Sequence, residues 1–299
     1  LVRGVCAEFK SRGYNIGAFD AATASDVLSG SGLSSSAAFE VLLGTILNHL
    51  FNDGKVSDVE IAQIAQAAEN KFFGKPFGLL DQMTSSVGSF VEIDFADPAN
   101  PVIEKLDFDF ASCGYALCIV DTGGSHSDLT DEYAAVRKEM ESVAEYLGKS
   151  VLREVDEDEF MKNIADIRSS CGDRAVLRAM HFYGDNARVE KQAAALKAGD
   201  FETFKKYIIE SGRSSYMYNQ NVYSCKKASE QPVSLALSLS EKLLDGCGAW
   251  RVHGGGFAGT IQAFVPLNKL DEYKDLMEKV FGSGSCYILS VRPVGGVEL

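Results

Sequence analysis

The stretch GSGLSSSAAFEVLLG, residues 30–44, places glycines and three consecutive serines directly before an apolar run. Such a composition is typical of a flexible linker. Here, however, the apolar residues between positions 37 and 50 recur at three- and four-residue steps. That spacing predicts a helix with one buried face, which is not how a linker continues. The serines at 34–36 are therefore predicted to lie at the N-terminus of a helix.

A helix N-terminus has a physical preference for anions. Its first backbone N–H groups have no partners inside the helix, and the aligned peptide dipoles add a partial positive charge. Gly30 and Gly32 allow the backbone to approach a ligand closely, and serine hydroxyls can donate to phosphate or coordinate magnesium. From this stretch alone two interpretations stay open: a phosphate-binding site, and ordinary N-capping by serine.

Composition restricts the class of protein. The chain has 299 residues, of which 46% are hydrophobic and 24% charged, as expected for a globular protein of one large or two smaller domains. No apolar run approaches the roughly 20 residues that span a bilayer, and no signal-peptide pattern opens the chain, so we expect a cytoplasmic protein. A net charge of −13 disfavours nucleic acid or an anionic membrane as partner. Seven cysteines without zinc spacing indicate buried free thiols in a reducing compartment.

Helical and strand patterns are mixed along the chain. Helices are predicted at residues 57–73 and from 128 onward, and strands at 88–95 and 115–122. After mostly helical sequence from 155 to 245, the end of the chain is predicted to form a strand, a helix and a strand. We predict a domain boundary near residues 108–112, which gives domains of residues 1–110 and 111–299.

Two common nucleotide-binding motifs are excluded. GGGFAG, residues 254–259, contains G-x-G-x-x-G, but it precedes a predicted strand, whereas a dinucleotide fingerprint must open a helix. A Walker A motif ending at Gly148-Lys149-Ser150 fails because position 143 is valine. For GGGFAG two interpretations remain: a backbone that passes close to another loop or a ligand, and a tight turn between packed elements.

A third stretch, AENKFFGKPFGLLDQMTSSVG at residues 68–88, carries two acidic residues of interest, Glu69 and Asp81. Asp81 directly follows glycine and two leucines, so we expect its carboxylate to be half-buried. A half-buried carboxylate beside an anion site indicates proton abstraction or electrostatic positioning. The alternative is that Asp81 is the N-cap of a helix formed by QMTSSV.

The three stretches in this order resemble the GHMP kinase family, and the form GLLDQ resembles its galactokinase subgroup. SHSDLTDEYAAVRKE at 125–139, RAMHFYGDNARV at 178–189 and IIESGRSS at 208–215 support the same subgroup. The resemblance covers nearly the whole chain. It implies an α+β fold of two domains, with an N-terminal part like ribosomal protein S5 domain 2 and a ferredoxin-like C-terminal domain.

The resemblance also implies roles for single residues. The nucleotide-phosphate loop is matched by Gly30, Gly32, Ser34, Ser35 and Ser36. The magnesium ligands are matched by Ser36, with Ser35 as the alternative, and Glu69. Asp81 matches the carboxylate that orients or deprotonates the anomeric hydroxyl of the sugar. Sugar contacts are matched by Gly78 and Tyr133, and the third family motif, which packs beside the phosphate loop, by Gly254, Gly255 and Gly256.

The implied activity is transfer of the γ-phosphoryl of ATP to a sugar hydroxyl, with Mg²⁺ bridging phosphate oxygens and galactose as the expected sugar. Two alternatives stay open: a GHMP kinase for another sugar or small alcohol, and an inactive member that senses sugar and nucleotide. Departures from the subgroup include Phe77 in place of the usual cysteine and Asn70 in place of the usual histidine. These departures leave the identity of the sugar and the oligomeric state open.

The beginning of the chain carries a further expectation. LVRGVCAEFK, residues 1–10, resembles a helix that lies well inside galactokinases, and their N-terminal GRVNxxGEHxDY-like stretch has no counterpart here. We therefore expect these residues to be the C-terminal portion of a kinase of about 400 residues. On its own, this portion is expected to lack full sugar binding and efficient catalysis.

Overall fold

The computed structural model describes residues 1–25, 27, 34–74, 78–97, 100–124, 129–257 and 259–299. The chain divides into two compact units. The first unit comprises Leu1–Ile93, Val102–Phe108 and Val291–Leu299, and the second comprises Asp94–Pro101 and Asp109–Ser290. The predicted boundary at residue 110 assigns Val291–Leu299 to the second domain, whereas in the structure this segment packs within the first unit. Backbone contacts hold it there: Ser89 N–H donates to the carbonyl of Arg292 at 2.7 Å.

The first unit is built from helices around one apolar core. Its elements are α1 (Val2–Ser11), α2 (Ser35–Asn52), α3 (Asp58–Ala68), α4 (Leu80–Val87) and the two paired strands β1 (Phe90–Asp94) and β2 (Val102–Leu106). Side chains of α1, α2 and α3, among them Phe9, Leu47 and Ile64, form the buried core. A capping box between Ser57 and Glu60 begins α3 at the position where the Ser/Asp pattern predicts a helix start.

Close packing in the first unit depends on small residues. A Cβ at Gly44 would lie 2.7 Å from the Ile61 side chain, so α2 and α3 approach as closely as they do only with glycine there. The segment at the end of the chain is equally tight, because a Cβ at Gly295 would lie 1.6 Å from the carbonyl oxygen of Ser86. The first contact sets how closely α2, whose N-terminus carries the serines, packs on α3, and the second places the end of the chain against α4.

The second unit combines an antiparallel sheet with helices. Its strands are β3 (Tyr115–Asp121), β4 (Ala249–Val252), β5 (Thr260–Pro266) and β6 (Cys286–Leu289), in the order β4-β5-β3-β6. Its helices are α5 (Thr130–Tyr146), α6 (Glu157–Lys162), α7 (Ile164–Cys171), α8 (Asp173–Lys197), α9 (Phe201–Ser214), α10 (Pro232–Leu244) and α11 (Leu270–Phe281). Trp250 of β4 and Val265 of β5 belong to the core beneath α10 and α11. The predicted α+β class is confirmed.

Three further observations bear on the sequence predictions. All seven cysteines are free, as predicted, although Cys225 is exposed and only Cys118 and Cys286 are buried. Among the helices in the described ranges, none is long and apolar enough to cross a membrane. GGGFAG follows β4 and leads into β5, so it joins two strands and does not open a helix.

Candidate active site

The serine-rich stretch begins α2 as predicted, but the first serine does not cap the helix with its side chain. Ser34 precedes the helix with φ +56°, a left-handed conformation that is costly for a residue with a side chain. Its hydroxyl donates to Asp81 Oδ2 at 2.6 Å and makes no capping bond to the helix N–H groups. Among the residues that the structure describes, no serine side chain caps the first N–H groups of α2, as an anion site requires. Gly30 and Gly32 lie outside the described residues.

Asp81 lies in the first turn of α4, and it differs from the sequence prediction in two ways. The side chain is exposed, whereas we expected it to be half-buried. The reason is the direction of the helix: Leu79 turns inward, but Leu80 and Asp81 follow on the outer face of the first turn. The alternative role as N-cap is not observed either, because Leu79 occupies that position. The Ser34 bond nevertheless joins two motifs that lie 47 residues apart.

Gly78 stands just before α4, and its surroundings are open. Among the described residues, no atom lies within 4 Å of a Cβ built at this position. The residue is exposed and two positions before the first helical residue. It is thus accessible to a ligand that approaches Asp81.

Glu69 is buried at the end of α3, with 3% of its surface exposed. It opens one π-helical turn, Glu69–Phe73, a local distortion that is frequent at functional sites. Gln82 of α4 donates from Nε2 to Glu69 Oε2 at 3.0 Å. The carboxylate is therefore held in one orientation by the residue that follows Asp81.

Sequence reasoning missed Glu40, which lies on α2 one turn after Ser36. Its side chain is completely buried, and neither carboxylate oxygen has a hydrogen-bond partner among the described residues. Burial and the charge of Glu69 raise the pKa of Glu40 to about 7, and the nearby Gln82 amide opposes that rise. The available signal was the four-residue spacing, which puts Ser36 and Glu40 on one face of a helix.

The raised pKa of Glu40 predicts a pH-dependent stability. The folded chain holds this proton up to about pH 7, whereas the unfolded chain releases it near 4.5. The contribution of Glu40 to the free energy of unfolding is therefore fully present below pH 4.5. It falls by about 3 kcal/mol as the pH rises to 7. This pH dependence is measured by urea unfolding of the wild-type protein and of Glu40→Gln at pH 5, 6, 7 and 8. We expect the stability difference between the two proteins to change with pH, and a constant difference would contradict the assignment.

The first unit contains two donors, Glu69 and Ser36, of the kind that Mg²⁺ prefers. Within the described ranges no three His, Cys, Asp or Glu side chains come together, so a dedicated all-protein metal cage is not formed there. Mg²⁺ is commonly held by one or two carboxylates together with substrate phosphates and water. Buried Glu69 supplies such a carboxylate, and the half-buried Ser36 is a hydroxyl at the helix end. Ser35 and Ser36 also line a cavity of about 900 Å³ in this unit.

In the second unit, Tyr133 of α5 and the glycine loop are brought together. Tyr133 Oη donates to the carbonyl of Gly256 at 2.7 Å, and its ring lies edge-on to Phe257. A Cβ at Gly255 would lie 2.8 Å from that ring. Burial raises the pKa of Tyr133, which keeps its hydroxyl protonated as a donor. Both interpretations of the loop hold in part, since it is a turn and it also passes close to another element.

Asn221 is a second residue that sequence reasoning missed. Its side-chain Nδ2 donates to the carbonyl of Gly255 at 3.1 Å, and its own carbonyl accepts the N–H of Phe257. It stands in QNVYS at 220–224, which matches no motif that we considered. Together with Tyr133 it holds the loop from two sides. Tyr133, Asn221, Gly254 and Gly255 share the lining of a cavity of about 510 Å³.

Gly256→Ala should destabilise the second unit strongly. Gly256 has φ +80°, and a Cβ there would lie 1.9 Å from the carbonyl oxygen of Asn221. We expect a loss of about 3 kcal/mol or more in the free energy of unfolding, because strain and overlap add. Gly254→Ala is the matched control, since its φ is +63° with no atom within 4 Å, and about 1 kcal/mol is expected from strain alone. Urea unfolding followed by Trp250 fluorescence measures both, and equal losses would contradict the clash.

Comparison with known proteins identifies the family. The family profile of the GHMP kinases N terminal domain matches residues 1–89. The chain is 31% identical to a galactokinase of Actinobacillus pleuropneumoniae over 283 residues, which cover 92% of this chain and 69% of that protein. It is also 31% identical to a galactokinase of Thermotoga petrophila over 282 residues, covering 94% and 74%.

A solved structure shows the same fold. The crystal structure of Lactococcus lactis galactokinase complexed with galactose aligns with a TM-score of 0.75 at 23% sequence identity, covering 100% of this chain and 76% of that one. Fold, motif order and sequence identity thus lead to the same assignment, and the chain belongs to the galactokinases within the GHMP kinase family.

Proposed function

We propose that the protein transfers the γ-phosphoryl group of ATP to the anomeric hydroxyl of galactose, in the cytoplasm. The observation that carries the proposal is the hydrogen bond from Ser34 to Asp81. It joins a helix N-terminus suited to phosphate with an exposed carboxylate suited to a sugar hydroxyl. Membership of the galactokinases supports the choice of substrate. Free cysteines support the compartment.

Each residue has a separate task in this reaction. The uncapped N–H groups of α2 and the hydroxyls of Ser35 and Ser36 bind phosphate oxygens of ATP. Ser36 and Glu69 would hold Mg²⁺, and the bound ion would supply positive charge that neutralises the phosphates. Gly78 leaves room for the sugar, and Tyr133 contacts it.

Asp81 acts on the sugar hydroxyl. Its carboxylate accepts the proton of the anomeric hydroxyl as that oxygen forms its bond to the γ-phosphorus, while the bond between the γ-phosphorus and the β,γ-bridging oxygen breaks and ADP leaves. The same carboxylate already accepts a hydrogen bond from Ser34, so a donor hydroxyl fits its geometry. Positioning and charge neutralisation provide most of the acceleration in phosphoryl transfer.

A hexose panel tests the proposal. ADP release by the full-length protein is coupled to a spectrophotometric assay with galactose, glucose, mannose, arabinose and galactosamine, each with Mg²⁺ and ATP. We expect the highest kcat/KM with galactose. A higher kcat/KM with another sugar would support kinase activity but reject galactose as the substrate. Nucleotide binding without ADP release on any sugar would favour the alternative of an inactive sensor.

A further inference from the structure

The buried carboxylate of Glu40 has no use in the reaction described above, and its surroundings are unfavourable to a charge. It is fully buried, both oxygens lack hydrogen-bond partners in the described part of the chain, and the carboxylate of Glu69 adds a like charge. A buried unpaired carboxylate is costly to folding. A cation bound nearby would offset part of that cost, because an opposite charge favours the ionised carboxylate.

Glu40 has no ion-pair partner among the described residues, and the α-ammonium of Leu1 lowers its pKa less than burial and Glu69 raise it. Within the described ranges, neither Glu40 nor Glu69 forms a salt bridge, and the nearby Lys71 is paired with Glu8 at 3.0 Å. Gln82, 2% exposed, gives its amide N–H to Glu69 but leaves its own Oε1 without a partner. Three buried oxygen atoms on Glu40 and Gln82 are therefore unsatisfied beside the carboxylate assigned to the metal.

We propose that Glu40 is a positioning residue for the cation held by Glu69, supplying from α2 a second negative charge behind the first. The inference rests on the proposed function, because it concerns the same metal site. Glu40 is completely buried in the folded protein and acts through the Glu69–Gln82 pair. Its charge strengthens the attraction for a divalent ion in a region of low dielectric.

This role predicts two effects of opposite sign for Glu40→Gln. The variant keeps the shape and removes the charge, so in metal-free buffer at pH 8 the melting temperature should rise by about 2 °C or more. The affinity for Mn²⁺ in the presence of a non-hydrolysable ATP analogue should fall about 10-fold or more. Affinity for the same analogue without metal should not fall. Full-length protein is used, with thermal unfolding by circular dichroism and Mn²⁺ binding by electron paramagnetic resonance.

Three further variants complete the design. Glu40→Asp retains the charge and should recover part of the Mn²⁺ affinity lost in Glu40→Gln. Glu8→Gln removes a buried carboxylate that is paired, so it should lower the melting temperature and leave Mn²⁺ affinity unchanged. Glu69→Gln tests the proposed metal site itself.

The outcomes separate the inference from the proposed function. Weaker Mn²⁺ binding in Glu69→Gln with unchanged binding in Glu40→Gln would reject the role of Glu40 alone. Unchanged binding in both variants would reject the metal site as well. A Glu40→Gln protein that melts earlier than wild type, or does not fold, would also contradict the proposal, because the proposal requires that removing this charge stabilise the metal-free fold.

Discussion

Asp81→Asn should lower the turnover number of the full-length protein about 100-fold or more, the size of effect expected when a general base is lost. Asparagine retains the shape of the side chain and can still accept the hydroxyl of Ser34, which lies 2.6 Å from Asp81 Oδ2. It cannot take the proton of the sugar. Because Asp81 is exposed on α4, the substitution should leave the fold intact. Steady-state kinetics with galactose and ATP measures the loss, and nucleotide affinity should change little.

Two controls define what the Asp81 result means. Ser34→Ala removes the hydrogen bond but not the carboxylate, so we expect only a few-fold decrease in turnover. Asp53→Asn removes an exposed carboxylate of the same unit, paired with Lys55 at 2.9 Å, and should not alter turnover. If the turnover number of Asp81→Asn stays within a few-fold of wild type, Asp81 does not act as the general base.

Glu69→Gln should weaken the binding of the magnesium-nucleotide at least 10-fold. Mutation of residues that only support a metal ligand already lowers metal affinity by about 10-fold to 100-fold. Glutamine keeps an oxygen that can accept the Gln82 amide, now 3.0 Å away, so the local packing is preserved while the negative charge is lost. Titration with Mg²⁺ at a fixed nucleotide concentration, followed by calorimetry, measures the change. Asp53→Asn again serves as the charge-matched control.

One outcome would contradict the role of Glu69 as a metal ligand. If raising the Mg²⁺ concentration does not restore turnover in the variant, the defect is not weakened metal binding, and the buried carboxylate would have to be assigned to packing. Restoration at high Mg²⁺ would agree with a ligand role, since mass action compensates for a lower affinity.

Local sequence patterns predicted much of the fold. The change from glycine and serine to three- and four-residue apolar spacing placed the helix start at Ser34 to Ser36, and α2 begins at Ser35. Strands β2 and β4 were not predicted. Neither VIEKL nor AWRV alternates apolar and polar residues, so periodicity does not separate them from irregular chain. Pairing with neighbouring strands, a tertiary effect, makes them part of a sheet.

The site was less predictable than the fold, for reasons visible at Asp81, Glu40 and Asn221. Exposure of Asp81 depends on the direction of a helix turn that apolar neighbours in sequence do not reveal. Glu40 resembles any polar residue of an amphipathic helix until α3 and α4 bring Glu69 and Gln82 beside it. Asn221 acts on a loop that lies 34 residues further along the chain, through its contact with Gly255. Each role arises from contacts between elements, which a single sequence does not encode locally.

Phosphorylation of galactose at its anomeric oxygen can be observed by ³¹P NMR of the product that the full-length protein forms from ATP, Mg²⁺ and galactose. We expect one new monoester signal, coupled to the proton on C1 of the sugar, that appears in step with ADP and is nearly absent with Asp81→Asn. A phosphate on another carbon, or ADP released without a sugar phosphate, would contradict it.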